Sequence, residues 1–261
     1  MLIVQSSKTF SLSKLTIWLS FPTVRSLLFF ALLFTTPLLA IPPGTKQAVV
    51  AIPETWNSSH TSIFLYEKQG SQWIKISGPL KSRLGRTGSA WGKGIYHPPT
   101  GATRKREGDM KSPAGLFYIG GAWGYAQSIK KHPRLPYRKV TSRDLWVEDS
   151  SSANYNRHLI LKHEPKTQWE RAQQMKQGDY AHSLKLFIAH NPPPKPTPGA
   201  GSAVFFHIWR GGGSKPTAGC TTMPESTLKQ LVAWIDPDKQ PVYILLPKAE
   251  YQAYRKIWKL P

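Results

Sequence analysis

The chain has 261 residues, with 35 Lys and Arg against 14 Asp and Glu, so its formal net charge is +21. With 40% hydrophobic residues it can bury one full core or two smaller ones, and its 23 Pro and 20 Gly favour turns and short strands over a helical bundle. A basic surface favours polyanionic partners. Nucleic acid is not expected among them, because the chain has no zinc-finger spacing, no RRM-type aromatic signature and no basic recognition helix.

The N-terminal segment has the composition of a targeting sequence. Its only charges are three basic residues, and residues 27–41 form a mostly apolar run. We therefore expect a secretion signal peptide over residues 1–40, cleaved after Ala40. An uncleaved membrane anchor is the alternative, although the apolar run is short for a membrane span and contains Pro37. In both cases the rest of the chain lies outside the cytoplasm.

Short apolar segments predict β-strands in the first half of the exported region. We expect strands over residues 48–52, 62–66 and 72–76, with a turn at 69–71 that joins the last two as a hairpin. A further strand is predicted over residues 116–119, directly after a Pro-Ala-Gly turn.

Four charged residues crowd a turn before that last strand, namely Lys105, Arg106, Glu107 and Asp109. A solvated loop is one interpretation of this cluster. The other is that the cluster forms the wall of a cleft, where Glu107 and Asp109 bind charged groups of a substrate. Tyr155, farther along the chain, is a second candidate for lining such a cleft, together with Asp144 and Trp146.

The second half of the chain predicts two central strands separated by a loop. Residues 167–178 show weak helical spacing, and residues 183–189 are apolar enough for a central strand. Residues 191–201 hold five prolines and predict an exposed loop. This loop returns the chain to the apolar run 203–206, which predicts the strand that carries His207.

The C-terminal segment predicts a helix, a strand and a second helix. We expect a short helix over residues 224–234, capped by Ser226 or a neighbour, and a buried strand over residues 241–246. Residues 248–259 have helical spacing. Their apolar side chains would form one face that packs into the core, namely Tyr251, Tyr254, Ile257 and Trp258.

The chain contains one cysteine, Cys220, which follows Gly219 in a turn-like run, and His207 precedes it by thirteen positions. One interpretation is a buried thiol that serves only packing. In an exported protein, however, cysteines usually occur in pairs, so an unpaired thiol favours a chemical role. Cys220 and His207 are therefore a candidate nucleophile and base.

The segment 207–220 resembles the active-site signature of the L,D-transpeptidase (YkuD-type) catalytic domain family. That signature has a His on a strand, a variable loop, and then Ser or Thr, any residue, Gly and Cys; here it closes with Thr217, Ala218, Gly219 and Cys220. Upstream, Glu-Gly-Asp at 107–109 and the run SPAGLF at 112–117 are similar to the family's EGD and TPxGxF elements. The His-before-Cys order also differs from that of papain-like and NlpC/P60-like peptidases.

Two positions depart from the family pattern. Ile208 follows the His where the family usually has Gly, and Thr222 stands where the family usually has Arg or Asn. The resemblance implies that this Arg or Asn helps to shape the substrate site, and Arg210 is our candidate for supplying the missing cation. The fold and the nucleophile are therefore expected to match the family more closely than the exact reaction.

The resemblance implies a mainly β (α+β) fold, a β-sandwich or barrel with a few short helices, forming one catalytic domain over residues 41–261. It implies that catalysis rests on Cys220, His207, Gly219 and Thr217. For substrate binding we expect Arg210, Tyr155, Glu107 and Asp109.

The expected chemistry is the attack of a thiolate on a carbonyl carbon. A thiol with an ordinary pKa of about 8.5 is only a few per cent ionised at neutral pH, so we expect imidazolium at His207 to favour the thiolate of Cys220. Backbone N–H groups of Gly219 and Cys220 are candidate oxyanion donors, and Thr217 adds a hydroxyl or shapes the turn. A backbone carbonyl or a carboxylate would orient the imidazole.

The remaining histidines are expected to be surface or packing residues; they include His158, His163, His182 and His190. With no HExxH motif and no Cys/His cluster, we expect neither a metal nor a cofactor.

The resemblance further implies peptidoglycan stem peptides as substrate and an L,D-transpeptidase reaction through a Cys thioester, in the periplasm or otherwise outside the cell membrane. An L,D-carboxypeptidase or amidase-like hydrolase on the same fold is one alternative, and a non-catalytic basic protein that binds the cell wall is another. Anionic polymers of the cell envelope are further candidate partners, and contact with the membrane is expected only through the leader.

Overall fold

The computed structural model describes residues 40–261. The predicted leader therefore lies outside the described residues, apart from Ala40, and its cleavage stays a prediction. The bounds of the catalytic domain, residues 41–261, likewise stay a prediction. No helix among residues 40–261 combines the length and the apolar character that crossing a membrane requires.

Within these residues, twelve strands outnumber three short α-helices, which confirms the mainly β prediction. The elements in chain order are β1 (Gln47–Ala51), β2 (His60–Gln69), β3 (Gln72–Arg83), β4 (Ser89–Trp91), β5 (Ser112–Gly124), β6 (Tyr137–Lys139), β7 (Asp144–Trp146), β8 (His158–Ile160), α1 (Gln168–Ala172), β9 (Leu184–Ile188), β10 (Phe205–Ile208), β11 (Thr221–Met223), α2 (Glu225–Trp234), β12 (Val242–Leu245) and α3 (Lys248–Arg255).

Ten of the strands form one sheet whose main path closes on itself. Its order is β12-β1-β2-β3-β11-β10-β9-β5-β4, and β12 pairs with β1 on one side and with β5 on the other. The eight strands from β12 to β5 in this order therefore close into a barrel without a free edge, and β4 lies outside that ring and pairs with β5. Strand β6 extends the sheet at β5, whereas β7 and β8 form a separate hairpin.

The predicted hairpin of β2 and β3 is confirmed, and both strands are longer than predicted. Its turn lies between Gln69 and Gln72, where Gly70 takes a φ of 57° that glycine adopts without strain. In β2 the alternate residues Ile63 and Leu65 are buried, as expected for a strand with one face on the core.

Two helices cover the barrel and explain why its central strands are buried on both faces. Helix α2 packs Leu228, Leu231 and Val232 against the main core, while Tyr251 of α3 joins a second cluster with Val50 of β1. The buried runs in β1 and β12 therefore contain no polar alternation.

Two details of the helix predictions are wrong. Helix α2 starts after Pro224 without a side-chain cap, because Ser226 lies inside the first turn. Helix α3 ends at Arg255, so the helical spacing does not continue to Ile257, which is 50% exposed, although Trp258 is buried as predicted.

The register of three neighbouring strands positions the candidate residues. Strand β10 pairs antiparallel with β9, where His207 lies opposite Lys185, and parallel with β11, where His207 lies opposite Thr222. Since β10 and β11 run in the same direction, the residue that precedes β11 arrives near the start of β10. Cys220 is that residue.

Candidate active site

A cavity of about 310 Å³ opens beside the junction of β9, β10 and β11. Six of the eight predicted site residues line it, namely Cys220, His207, Gly219, Thr217, Arg210 and Glu107. Four ionisable residues outside that set of eight also line it, namely Lys105, Glu148, His182 and Lys185.

The turn before Cys220 is held by the side chain of Thr217. Its Oγ1 accepts a hydrogen bond from the N–H of Gly219 at 3.0 Å and donates one to the carbonyl of Cys220 at 2.6 Å. Thr217 therefore shapes the turn. Of the two predicted oxyanion donors, the N–H of Gly219 is therefore already occupied. The N–H of Cys220 makes no hydrogen bond to another group among residues 40–261.

Only glycine fits at position 219. Its φ is +149°, a value that residues with a Cβ rarely adopt, and a Cβ there would lie 2.9 Å from the carbonyl oxygen of Lys111. The backbone therefore passes close to a neighbouring segment and directs Cys220 toward the cavity.

Cys220 is partly buried and lines the cavity, so the residue is not sealed from solvent. It donates a hydrogen bond to the carbonyl of Ala203 at 3.5 Å. Burial raises the pKa of this thiol to about 11, so the resting form is the neutral thiol. Among nearby charges, Glu148 opposes ionisation and Lys185 favours it.

His207 is buried, and its ring is oriented by the backbone. Nδ1 donates a hydrogen bond to the carbonyl of Ile208 at 2.8 Å, so Nε2 carries the free lone pair. A backbone carbonyl is therefore the orienting acceptor, which the sequence left open between a carbonyl and a carboxylate. Burial lowers the pKa of His207 to about 3, with a further effect from His182. The resting pair is neutral, in contrast to the expected imidazolium and thiolate.

His182 stacks on His207, although its sequence context indicated a surface or packing role. Their ring centroids lie 4.5 Å apart with planes 28° from parallel. Nδ1 of His182 donates to Asp179 at 2.7 Å, and burial lowers the pKa of this imidazole to about 4. Asp179 and His182 belong to the segment before β9, which the strand order places beside β10.

Arg210 lines the cavity on the same side. Its guanidinium makes an ion pair with Asp179, with Nη2 2.5 Å from the carboxylate. Burial would raise the pKa of Asp179, but hydrogen bonds from His182 and Arg210 lower it to about 2. Arg210 is therefore placed where it can meet a substrate, and its binding role stays a prediction.

Two carboxylates also line the cavity, those of Glu107 and Glu148. Glu107 accepts hydrogen bonds from Tyr155 and from Ser202, the latter at 2.7 Å. Partial desolvation and repulsion by Glu107 raise the pKa of Glu148. Tyr155 itself is fully buried and does not line the cavity, so it reaches this site through Glu107.

Asp109 lies outside this cavity and organises the charged turn. Its carboxylate accepts hydrogen bonds from the Nζ of Lys105 at 2.5 Å and from the N–H groups of Arg106 and Lys111. Lys105 is buried and does line the cavity, which corrects the interpretation of the whole cluster as a solvated loop. A direct role for Asp109 in substrate binding at this cavity is not supported by its position.

The remaining histidines that we placed on the surface or in packing do not line the cavity; they are His158, His163 and His190. Among residues 40–261, no three His, Cys, Asp or Glu side chains are grouped to hold a metal ion. The absence of a cofactor stays a prediction.

Comparison with known proteins gives one family match and two related structures. The YkuD model, which describes the L,D-transpeptidase catalytic domain, matches residues 57–244 and thus more than half of the chain. No curated protein matches the chain.

Both related structures are 14% identical to this chain. One is Bd1075 from Bdellovibrio bacteriovorus, with a TM-score of 0.38 over 84% of this chain and 57% of that chain. The other is the helical cell shape determining protein Pgp2 from Campylobacter jejuni, with a TM-score of 0.35 over 78% of this chain and 48% of that chain. The chain thus spans about half the length of each.

Proposed function

The chain belongs to the L,D-transpeptidase catalytic domain family, and from this premise we propose that it is an exported, cysteine-dependent acyl-transfer enzyme that acts on peptidoglycan stem peptides. Cys220 is the nucleophile and His207 is the general base. The observation that carries this proposal is that both side chains line one open cavity, with the imidazole oriented to leave Nε2 free.

The proposed reaction starts from the neutral pair. Nε2 of His207 accepts the thiol proton as the sulfur of Cys220 attacks the carbonyl carbon of the scissile amide. The N–H of Cys220 donates to the oxyanion of the tetrahedral intermediate. His207 then returns the proton to the leaving amine, which departs as D-alanine, and a thioester remains on Cys220.

The thiol must first leave its resting hydrogen bond. In the described structure it points to the carbonyl of Ala203 and makes no hydrogen bond to His207 within residues 40–261. Such bonds are often long before substrate binds. We expect that a substrate carbonyl bound beside Gly219 displaces the thiol from the carbonyl of Ala203. The sulfur would then turn toward Nε2 of His207.

The charges around the cavity support a zwitterionic peptide as substrate. Arg210, Lys185, Glu107 and Glu148 all line it, so cations and carboxylates share one cavity. Stem peptides carry both carboxylates and amines, so both kinds of side chain have a group to bind. The basic surface of the chain further suits the anionic polymers of the cell envelope.

The acyl acceptor decides between transfer and hydrolysis. An amine from a second stem peptide yields a cross-link, whereas water yields a carboxypeptidase or an amidase-like hydrolase. A non-catalytic protein that binds the cell wall is the alternative from another class. The orientation of His207 and the opening of the cavity at Cys220 favour an enzyme over that alternative.

The test is incubation of the purified protein with defined tetrapeptide muropeptides, with the products identified by mass. Loss of D-alanine alone indicates hydrolysis, and a linked dimer indicates transfer. Both must disappear in Cys220→Ala, while the exposed control Lys162→Ala retains them. A folded wild-type protein that produces neither would contradict the proposed function.

A further inference from the structure

Lys185 occupies a central position that the proposed reaction does not yet use. It lies on β9 directly opposite His207 on β10. Residues opposite each other in an antiparallel pair project from the same face of the sheet, with Cβ atoms about 5 Å apart. Lys185 therefore projects into the cavity beside the base, and it is one of the residues that line it.

The ammonium of Lys185 is buried without a carboxylate partner. The residue is 2% exposed, and its Nζ donates one hydrogen bond, to the carbonyl of Met175 at 2.7 Å. It forms no salt bridge among residues 40–261. The ring of Phe205 lies 5.7 Å from Nζ and adds a weak attraction. A buried cation with so few partners is costly, so a purely structural role explains it poorly.

The ionisable groups that interact with Lys185 include two imidazoles and two carboxylates. The imidazoles of His182 and His207 are uncharged because burial lowers their pKa values. Asp179 is engaged by Arg210 and His182.

Glu148 is exposed, and its partial desolvation favours the protonated form. Once ionised, Cys220 would raise the pKa of Lys185, as Asp179 and Glu148 also do.

We propose that the ammonium of Lys185 is the electrostatic partner of the Cys220 thiolate, stabilising the negative charge that develops on sulfur while the thiol proton moves to Nε2 of His207. Lys185 keeps its own protons throughout. This inference rests on the proposed function only in taking Cys220 as the nucleophile. It explains how Cys220 can ionise beside a neutral His207, because the cation that favours the thiolate is Lys185 on the neighbouring strand β9.

The proposal predicts how Cys220 reactivity changes with pH. Burial lowers the pKa of Lys185 to about 8, so the ammonium is charged at neutral pH and loses its charge above about pH 8. The ammonium of Lys185 therefore stabilises the Cys220 thiolate below about pH 8, and this stabilisation is lost above that pH.

Alkylation of Cys220 by iodoacetamide tests the inference without any peptidoglycan. Since an opposite charge within a few ångströms shifts a pKa by at least about one unit, Lys185→Met should alkylate about tenfold more slowly than wild type at pH 7. Lys185→Arg should restore most of the rate, and the exposed control Lys162→Met should match wild type. Circular dichroism verifies the fold of each variant.

A folded Lys185→Met that alkylates at the wild-type rate, with an unchanged pH profile, overturns the proposal. If Lys185→Met does not fold, Lys185→Arg decides, because a guanidinium stays charged across the whole range. Lys185→Arg should then be alkylated faster than wild type above pH 8. Identical pH profiles of alkylation in the two proteins would overturn the inference. Dependence of alkylation on Lys185 in a protein that does not process muropeptides would leave this inference standing and remove only the proposed substrate.

Discussion

His182 stacks on His207 with ring centroids 4.5 Å apart, and its Nδ1 is anchored to Asp179 at 2.7 Å. The imidazole of His207 is thus held on one side by the carbonyl of Ile208 and on its face by a second, fixed ring. Both rings are neutral, so the stack positions the proposed base without repulsion between charges.

Removal of the stacked ring should impair the chemical step. We expect His182→Ala to lower kcat about tenfold or more with little change in KM, because misplacement of a base affects proton transfer and not substrate binding. His182→Phe keeps the flat ring and should retain most of the rate. Steady-state kinetics on a muropeptide substrate measure both. Equal losses in the two variants would show that the ring's packing is not what matters.

Loss of the Thr217 hydroxyl should loosen the turn that carries the proposed nucleophile, Cys220. Thr217→Val removes both hydrogen bonds of Oγ1 and leaves the buried N–H of Gly219 without a partner, at a cost of about 1–3 kcal/mol in the free energy of unfolding. Thr217→Ser keeps the hydroxyl and should remain close to wild type. Chemical denaturation compares the three proteins, and similar stabilities of the Val and Ser variants would contradict this role.

A Cβ at position 219 should be more damaging than one at an open glycine. Gly219→Ala places a Cβ 2.9 Å from the carbonyl oxygen of Lys111, whereas at Gly178, with a φ of +75°, a Cβ meets nothing within 4 Å. The control Gly178→Ala therefore carries only the backbone cost of roughly 1–2 kcal/mol. We expect Gly219→Ala to show a lower Tm than the control and a loss of Cys220 alkylation; equal Tm values would refute the close approach.

Acidification should destabilise the fold through its buried histidines. Burial lowers the pKa values of His182, His190 and His207 to about 4, 3 and 3. The unfolded chain binds protons below its ordinary histidine pKa of about 6.5, so stability is full above that value and falls as pH decreases. At pH 5 each group accounts for up to about 2 kcal/mol.

The matched comparison is between one buried and one exposed histidine. His190→Gln should flatten the fall of Tm between pH 6.5 and pH 4, whereas His163→Gln should leave the slope unchanged, since His163 is exposed. A slope that responds equally to both variants would contradict the assignment to buried imidazoles.

Substitution of Tyr155, which holds Glu107, tests whether Glu107 binds substrate. The hydroxyl of Tyr155 donates to Glu107 and accepts from the N–H of Gly201, so Tyr155→Phe removes both hydrogen bonds and leaves the carboxylate oriented by Ser202 alone. If Glu107 binds the amine of a stem peptide, KM should rise severalfold while kcat stays near wild type. A drop in kcat at constant KM would assign Tyr155 and Glu107 to the chemistry instead.

The local patterns of the chain predicted the elements that depend on near neighbours. Short apolar segments and the turn at 69–71 predicted the β2–β3 hairpin, and the Gly-Cys pair with an upstream His on a strand predicted two residues of the cavity. The short helix α1 within residues 167–178 also formed, with Thr167 and Glu170 as its capping box.

The rest depends on contacts between distant segments. Lys185 and His182 enter the cavity because β9 pairs with β10, and no spacing in the sequence encodes that register. The charge states of Cys220 and His207 also escaped prediction, because desolvation is a property of the folded interior. Ile257 was misplaced since α3 ends two residues earlier, where the chain turns toward its terminus.

The intact mass of the protein during turnover tests the central claim most directly. After brief incubation with a tetrapeptide muropeptide, we expect an adduct equal to the substrate minus D-alanine, located on Cys220. It should be absent in Cys220→Ala and strongly reduced in His207→Ala. Products that form at the wild-type rate in Cys220→Ala, or an adduct on another residue, would contradict the thioester and with it the proposed enzyme.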